Sequence, residues 1–240
     1  MRYCVIIPTY NHSDKLSEVI ASTLKITHDI IVVNDGSTDS TSSVISRFNN
    51  ITCIDYKKNR GKGYALRQGF HKAKEMRFDY AITIDSDGQH NPEEIPLFIA
   101  SSEQHPDAII VGARNLNAKN MPEGNTFANK FSNFWFKLQT SISLPDTQSG
   151  FRLYPVDIVN KIHTLSGRYA YELELLVRSA WRGVQIISIP ISVLYEKEGE
   201  RKSHFRPFVD FTRISLLNTF LTIASFVYWY PKKLFKKIFG

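Results

Sequence analysis

The sequence has few of the cysteines that are typical of secreted proteins and of proteins stabilised by a structural metal ion. It contains two cysteines in 240 residues, Cys4 and Cys53, and both fall in predicted strands, so we expect small buried residues instead of a disulfide framework or a zinc site. No internal repeat, low-complexity tract or long linker is present. A strand-like segment begins at Tyr3, which leaves no room for a cleavable signal peptide. These absences predict one sizeable domain in a reducing compartment.

Acidic residues are almost missing from the end of the chain. Residues 201–240 contain eight basic residues and one acidic residue, Asp210, which accounts for the whole net charge of +7. Residues 1–200 therefore carry equal numbers of positive and negative side chains. The basic residues flank an apolar, aromatic stretch from Ile214 to Tyr230, about seventeen residues long, the short limit for crossing a bilayer. We expect residues 207–240 to meet an anionic membrane surface.

The apolar stretch allows three interpretations. An interfacial helix or shallow hairpin, with Tyr228 to Tyr230 at headgroup level, is favoured. A single crossing would carry one basic cluster across the membrane, against the positive-inside bias. The third interpretation is a helix packed on the protein's own core. A nucleic-acid partner is not expected, because the basic residues bracket an apolar stretch and do not line a groove.

Polar clusters follow the predicted strands wherever a strand gives way to a helix. Because carboxyl ends of parallel strands meet at one edge of a sheet, these clusters are expected to gather there. The pattern predicts an α/β fold with a mostly parallel central sheet and helices on both faces. The clusters are Pro8-Thr9-Tyr10-Asn11, Asn34-Asp35-Gly36-Ser37-Thr38-Asp39, Asn59-Arg60-Gly61-Lys62-Gly63 and Asp85-Ser86-Asp87-Gly88-Gln89.

Asp85 and Asp87 stand one residue apart at the end of the apolar strand that begins at Tyr80. Two hard oxygen ligands at this spacing suit Mg²⁺ or Mn²⁺, which also takes oxygens from substrate phosphates. The alternative is an Asp-rich turn before the helix that Asn91 and Pro92 begin. The other polar clusters at the same sheet edge favour the metal site.

A later segment, Asp146-Thr147-Gln148-Ser149-Gly150-Phe151-Arg152, completes an ordered series of motifs with the clusters above. With this series the chain resembles the family 2 glycosyltransferases of GT-A fold, within them the dolichyl-phosphate mannose and glucose synthase-like branch. The resemblance covers roughly residues 3–205. It implies a Rossmann-like GT-A domain, residues 1–206, followed by a membrane-associated helical tail, residues 207–240.

The resemblance also implies roles on the donor side. Asp35 would contact the nucleoside, Lys62 would add positive charge near a phosphate, and Asp85 and Asp87 would hold the metal with help from Gln89. Lys202 or His204, in the segment 197–204, would close over the donor diphosphate. Asp39 is expected to cap a helix, and His90 to be a solvent-facing turn residue. The nucleotide pocket itself would be lined by Pro8, Tyr10 and Asn11.

On the acceptor side, the resemblance makes Asp146 the candidate general base and Arg114 the residue that faces an acceptor phosphate. Arg152 would support its loop or the diphosphate. Glu172 is ranked ahead of Glu174 for reaching the site, since carboxylates two residues apart on a helix face different sides. A second arginine, common in the branch, is missing between residues 125 and 139, where the basic residues are Lys130 and Lys137.

These features together predict a metal-dependent, inverting transfer of a sugar from a UDP- or GDP-linked donor to a membrane lipid such as polyprenyl phosphate, at the cytoplasmic face of the membrane. Asp87 and Asp146 are the predicted catalytic residues. The missing arginine keeps a glycan or small hydroxylated acceptor open, as in cell-surface polysaccharide or glycolipid synthesis. A non-catalytic sugar-nucleotide-binding protein is disfavoured by the intact aspartates, and nucleotidyl transfer by the segment 146–152.

Overall fold

The computed structural model describes residues 1–115, 123–194 and 207–239. Its strands form a single sheet in the order β3-β2-β1-β4-β6-β5-β7. The strands are β1 (Tyr3–Thr9), β2 (Ile30–Asn34), β3 (Thr52–Asp55), β4 (Tyr80–Thr83), β5 (Ile109–Arg114), β6 (Arg152–Pro155) and β7 (Ile186–Ile191).

The sheet is mostly parallel, as predicted. Strand β6 is the exception among the described strands, because it runs antiparallel to both of its neighbours, β4 and β5. Arg152 pairs with Thr83 on one side and Val111 on the other. This strand brings the segment that begins at Asp146 beside the end of β4, where Asp85 and Asp87 follow.

Helices cover both faces of the sheet, because successive side chains of a strand point to opposite sides. Cys4 and Ile6 of β1 belong to one core cluster, and Val5 and Ile7 to the other. The helices are α1 (Ser13–Leu24), α2 (Thr41–Ile45), α3 (Lys62–Glu75), α4 (Ile95–Gln104), α5 (Glu123–Thr140), α6 (Val156–Val159), α7 (Ala170–Trp181), α8 (Pro207–Ala224) and α9 (Tyr230–Phe239).

Two local expectations need correction. Cys4 is buried as predicted, but Cys53 is exposed, because β3 is an edge strand whose alternate side chains face outward. Helix α3 begins at Lys62, inside the polar cluster Asn59-Arg60-Gly61-Lys62-Gly63, although that cluster was expected to precede the helix. This earlier start places Lys62 in the helix's first turn, at the edge of the sheet where the polar clusters meet.

Helices α8 and α9 are joined by a π-helical segment, Ser225–Trp229. Pro231 explains the widened turn, since proline has no N–H and its ring clashes with the carbonyl four residues earlier. Within the described residues, Asp210–Phe235 is the one helical stretch that is long and apolar enough to cross a membrane.

The same helical stretch also packs on the protein. Leu221 is fully buried in the core cluster that contains α3 and α7, and Gln139 of α5 donates a hydrogen bond to the Asn218 side chain at 3.1 Å. Trp229 stacks on Trp181 of α7 with ring centroids 6.5 Å apart. Residues 218–229 therefore share the core of the residues that precede them.

Candidate active site

The ends of the central strands surround a cavity of about 770 Å³. Its walls include the loops after β1, β2 and β4, the last residue of β5 and the first turns of α3 and α7. Asn11 and Asp146 do not line it, and Lys202 and His204 lie outside the described residues. The predicted site residues that do line the cavity are Pro8, Tyr10, Asp35, Lys62, Asp85, Asp87, Gln89, Arg114, Arg152 and Glu172.

Asp35 holds the turn that begins α3. One carboxylate oxygen accepts the backbone N–H of Arg60 at 2.8 Å, and the other accepts that of Gly61 at 2.7 Å and the Asn59 amide at 2.9 Å. Gly61 has a left-handed φ of 92°, which favours glycine. Asp35 thus positions Lys62, the next residue, and also forms part of the cavity wall.

Asn11 connects two loops. Its side-chain oxygen accepts the N–H of Thr38 at 2.8 Å, and its own N–H donates to the Ser37 hydroxyl at 3.0 Å. The geometry does not support its predicted contact with the nucleotide, because the amide is engaged away from the cavity. Asp39 accepts the N–H of Thr41, the first residue of α2, at 3.0 Å. It therefore satisfies an N–H group at the start of the helix as predicted, although Ser40 is the N-cap residue.

Lys62 forms two short ion pairs inside the cavity. Its ammonium lies 2.6 Å from Asp85 and 2.9 Å from Glu172. Burial alone would lower the pKa of Lys62, but the two carboxylates outweigh it and raise that pKa above its usual range. Glu172 therefore faces the site as predicted. Glu174 points elsewhere and accepts the backbone N–H groups of Leu165 and Ser166.

Asp85 and Asp87 differ in their surroundings. Burial raises the pKa of Asp85, but the Lys62 ammonium outweighs it, so that pKa lies below its usual range. For Asp87, burial and then the charge of Asp85 raise the pKa. The backbone N–H of Gln89 donates to Asp87 at 3.1 Å, and no cationic side chain of the described residues forms an ion pair with it.

The arrangement fits a divalent metal bound together with a substrate. Within the described residues, no three His, Cys, Asp or Glu side chains are grouped closely enough to hold an ion alone. Asp85, Asp87 and the Gln89 amide offer hard oxygens at one end of the cavity, and the partly buried Asp87 carboxylate has no positive partner in the part of the chain that the structure describes. Oxygens of a bound substrate would complete the coordination, as is usual for Mg²⁺ sites.

Asp146 lies behind the cavity wall and is completely buried. It accepts hydrogen bonds from the Arg114 guanidinium at 2.6 and 3.0 Å, from the Asn129 amide at 2.7 Å, and from the N–H groups of Gln148 and Ser149. Burial raises its pKa, but these donors, Arg114 first, bring it below the usual range. This geometry suits a residue that orients Arg114 and does not favour a general base.

Arg152 supports its own loop, which was one of the two predicted roles. Its guanidinium donates to the carbonyls of Ser149, Thr147 and Glu172 at 2.6 to 3.1 Å. The side chain is 1% exposed. Its assignment to the acceptor side therefore needs correction, because its donors are taken by main-chain carbonyls of the segment that starts at Asp146 and of α7.

The cavity-lining residues that the sequence analysis did not assign to the site include His90, Arg168 and Tyr169. His90 was expected in solvent, yet it is buried against Phe151 with ring centroids 5.4 Å apart, and burial lowers its pKa. Its bridge to Val193 closes this side of the site. Arg168 has a left-handed φ of 52°. The contacts of His90 with Phe151 and Val193 join residues that are far apart in sequence, so no local sequence pattern predicts them.

Comparison with known proteins assigns the arrangement to a family. The sequence model of glycosyl transferase family 2 matches residues 4–163. The UDP-N-acetylglucosamine–dolichyl-phosphate N-acetylglucosaminyltransferase of Methanococcus voltae is 28% identical, over 80% of this chain and 85% of that one. The undecaprenyl-phosphate mannosyltransferase of Micrococcus luteus is 24% identical, over 84% of this chain and 87% of that one.

A solved structure supports the fold. Glucosyl-3-phosphoglycerate synthase from Mycobacterium tuberculosis, crystallised with Mn²⁺, UDP and phosphoglyceric acid, has a TM-score of 0.69 to this chain. The likeness covers 94% of this chain and 77% of that one at 17% identity. The GT-A architecture predicted from the motifs is therefore confirmed, and the chain belongs to glycosyl transferase family 2.

Proposed function

We propose that this glycosyltransferase moves a sugar from a nucleoside-diphosphate sugar to a polyprenyl-phosphate-type lipid, with a divalent metal, inversion at the anomeric carbon, and the reaction at the cytoplasmic face of a membrane. One observation carries the proposal. The cavity that contains Asp85, Asp87 and Lys62 is also lined by Ile214 of α8, a helix whose other face is exposed and apolar. Donor chemistry and an apolar surface thus meet at one cavity.

The donor end suits a diphosphate. The metal held by Asp85, Asp87 and Gln89 would supply Lewis-acid stabilisation of the leaving diphosphate. Lys62 begins α3, so its ammonium and the positive end of the helix point into the same space. Pro8, Tyr10 and Asp35 form the neighbouring wall, where the nucleoside would lie. The predicted closing role of Lys202 belongs to this proposal as well.

The acceptor end favours a nucleophile that arrives already ionised. A hydroxyl acceptor needs a base to remove its proton, and the hydrogen bonds around Asp146 hold that carboxylate to Arg114. A phosphate acceptor needs no such base. Arg114 lines the cavity beside Asp146, and its planar guanidinium suits phosphate oxygens. A lipid phosphate is therefore favoured over a glycan or other hydroxylated acceptor.

The membrane side rests on α8. Helical spacing puts the exposed Leu216, Phe220, Ile223 and Val227 on the side opposite Ile214, Asn218 and Leu221. The first set is 49% to 74% exposed. One side of this helix packs on the protein core, and the opposite side is free to contact a second apolar phase. Because relatives are named for lipid-phosphate acceptors, we infer that this second phase is a lipid bilayer.

A product assay tests the proposal. The full-length protein is incubated with radiolabelled UDP- and GDP-sugars and vesicles that contain either polyprenyl phosphate or the same polyprenol without phosphate. We expect label in the organic phase with the phosphate alone. EDTA and Asp87→Asn should abolish the transfer, and Asp157→Asn, at an exposed carboxylate, should not.

Label transferred equally to the polyprenol would favour the hydroxyl alternative. Full activity in EDTA or in Asp87→Asn would overturn the metal assignment. No transfer from any of these donors, by folded protein, would overturn the donor class.

A further inference from the structure

Lys62 lies between two carboxylates that come from different parts of the cavity. Asp85 follows β4, and Glu172 belongs to the first turn of α7. The side chains of Lys62, Asp85 and Glu172 are 18%, 27% and 9% exposed, so all three charges have lost most of their water. Ion pairs in such surroundings are much less screened than pairs on the surface.

The position of Lys62 is fixed by close helix packing. A Cβ atom on Gly63 would overlap the Cβ of Tyr171. Only glycine at position 63 therefore allows the first turns of α3 and α7 to lie this close together. Lys62 and Glu172 each stand next to this contact in sequence. Their ion pair is therefore a built part of the cavity.

We propose that Lys62 is the resident cation of the donor site, which neutralises Asp85 while the site is without substrate and transfers to the diphosphate when metal and nucleotide bind, with Glu172 keeping it in place. This inference rests on the proposed metal and donor site. It makes Lys62 the residue that couples metal binding to nucleotide binding, and Glu172 a positioning residue.

Electrostatics gives the reason for coupling. Lys62 contacts Asp85 at 2.6 Å, so a second cation at Asp85 must displace it or lie beside it and be repelled. In the absence of nucleotide, the displaced ammonium keeps Glu172 as its partner and loses Asp85. When a nucleoside diphosphate is present, its oxygens accept the ammonium instead. Metal and nucleotide should therefore strengthen each other's binding by the same factor.

Glu172 is suited to hold the ammonium during this exchange. One of its carboxylate oxygens contacts Lys62, and the other is buried without a hydrogen-bond partner among the described residues. An unsatisfied buried carboxylate oxygen is costly, so its retention needs a reason. The open oxygen gives Lys62 a second acceptor within the same side chain when Asp85 is released.

Manganese binding to the purified full-length protein tests the inference. Free Mn²⁺ is measured by electron paramagnetic resonance with and without saturating UDP or GDP, in the wild type, Lys62→Met, Glu172→Gln and Arg168→Gln. In the wild type the nucleotide should tighten Mn²⁺ binding about fivefold or more, the usual range of such coupling. Lys62→Met should bind Mn²⁺ alone several-fold more tightly than the wild type. Its coupling to the nucleotide should be smaller than in the wild type, because only direct ligation of Mn²⁺ by the nucleotide would remain.

Arg168→Gln is the matched control. Arg168 lines the same cavity and the change removes the same charge, but Arg168 packs against Gly61 and makes no ion pair with Asp85. It should leave Mn²⁺ binding within about twofold of the wild type. Equal tightening in both variants would mean a general field effect and would overturn the inference, as would Mn²⁺ binding in Lys62→Met no tighter than in the wild type.

Glu172→Gln separates positioning from charge competition. It should bind Mn²⁺ alone no more tightly than the wild type, yet show weaker coupling to the nucleotide. Undiminished coupling would remove Glu172 from the mechanism. If Lys62→Met is less stable, Mn²⁺ should raise its melting temperature more than it raises that of the wild type. Wild-type protein that binds neither UDP nor GDP would instead refute the proposed function.

Discussion

Gly150 shows how a missing side chain shapes this site. A Cβ atom at Gly150 would overlap the carboxylate of Asp85, which is not a flexible chain end that can move aside because Lys62 holds it. Gly150 does not have a positive φ, so alanine is compatible with its backbone and only the space is lacking. The segment that begins at Asp146 can therefore approach the Asp85 carboxylate only through glycine.

We predict that Gly150→Ala disturbs the donor site more than the fold. Displacement of Asp85 should weaken Mn²⁺-dependent UDP or GDP binding by tenfold or more, while the melting temperature changes little. Gly167→Ala is the control, because a Cβ there meets nothing within 4 Å. Isothermal titration of both variants checks this, and wild-type nucleotide binding by Gly150→Ala would show that Asp85 does not take part.

Glu174 supports stability at a distance from the cavity. It is fully buried and accepts hydrogen bonds from the N–H groups of Leu165 and Ser166, the Ser166 hydroxyl and Arg178. Burial raises the pKa of Glu174, but these donors outweigh it and bring it below the usual range. A carboxyl whose pKa is lowered by folding stabilises the protein above its unfolded pKa, about 4.3.

Glu174→Gln should therefore lower the free energy of unfolding by roughly 2 kcal/mol at pH 7, the scale of hydrogen bonds to a charged group. The difference from the wild type should shrink as pH falls below about 4.3, since the carboxyl of the unfolded wild-type chain then takes up a proton first, and that of the folded protein follows at a lower pH. Urea unfolding at pH 7, 5 and 3.5 measures this. Glu75→Gln, at an exposed surface pair, should behave as the wild type, and a difference that grows at low pH would contradict the assignment.

Single residues also mark the limit of prediction from sequence. Asp85, Asp87 and Lys62 were predictable, because strand alternation and helix starts fix which edge of a sheet they occupy. The environment of Asp146 was not, since the donors that hold it come from Arg114 on β5 and Asn129 on α5. His90 was misjudged for the same reason, as its burial depends on Phe151 and Val193.

At the scale of elements, strand β6 was the main omission. Its four residues, Arg152 to Pro155, are all buried between β4 and β5, so they show no polar–apolar alternation to mark a strand. Parallel strands followed by helices can be predicted from repeated turn residues in the sequence, whereas a short antiparallel strand inserted between them cannot. The order of strands at that side of the sheet therefore had to come from the structure.

Helix α8 leads to a prediction about its exposed side. Changing Leu216, Phe220 and Ile223 together to glutamine should weaken binding to uncharged phosphatidylcholine vesicles, since each loses about 1.5–3 kcal/mol of apolar burial if that side enters the bilayer. The melting temperature should hold, because the three side chains are 49% to 66% exposed. Vesicle flotation and thermal unfolding measure the two effects.

The control for this change uses exposed apolar residues elsewhere. Leu97→Gln with Leu165→Gln removes side chains that are 51% and 78% exposed on other parts of the surface, and vesicle binding should stay at the wild-type level. Undiminished flotation of the α8 variant would show that this side of the helix does not meet lipid.

At the scale of the whole molecule, the net positive charge lies in a different part of the chain from most of the residues that line the cavity. The last forty residues carry the entire net charge, and the rest of the chain is neutral. In α9, helical spacing places Leu234, Phe235 and Ile238 on one side and Lys232, Lys233 and Lys237 on the other. Such a helix lies at the surface of an anionic membrane with its apolar side inward. Ile214, one helix earlier, lines the cavity, so this surface would hold the active site against the bilayer.

The last prediction separates this charge from the apolar contribution. Each lysine near an anionic surface contributes about 1 kcal/mol, so changing Lys232, Lys233, Lys236 and Lys237 to glutamine should weaken binding to phosphatidylserine vesicles by up to roughly 10³-fold. The binding that remains should depend little on salt.

The control replaces four lysines in the neutral part of the chain, Lys57, Lys58, Lys74 and Lys161, by glutamine. This variant has the same net charge as the first one, and its binding to the vesicles should change little. Removal of residues 231–240 is the matching truncation, because a cut at residue 207 would uncover Leu221 and the core around it. Equal loss of binding in both lysine variants would mean that net charge alone attracts the protein, and wild-type protein that resists both high salt and carbonate washing would mean that the helix spans the bilayer.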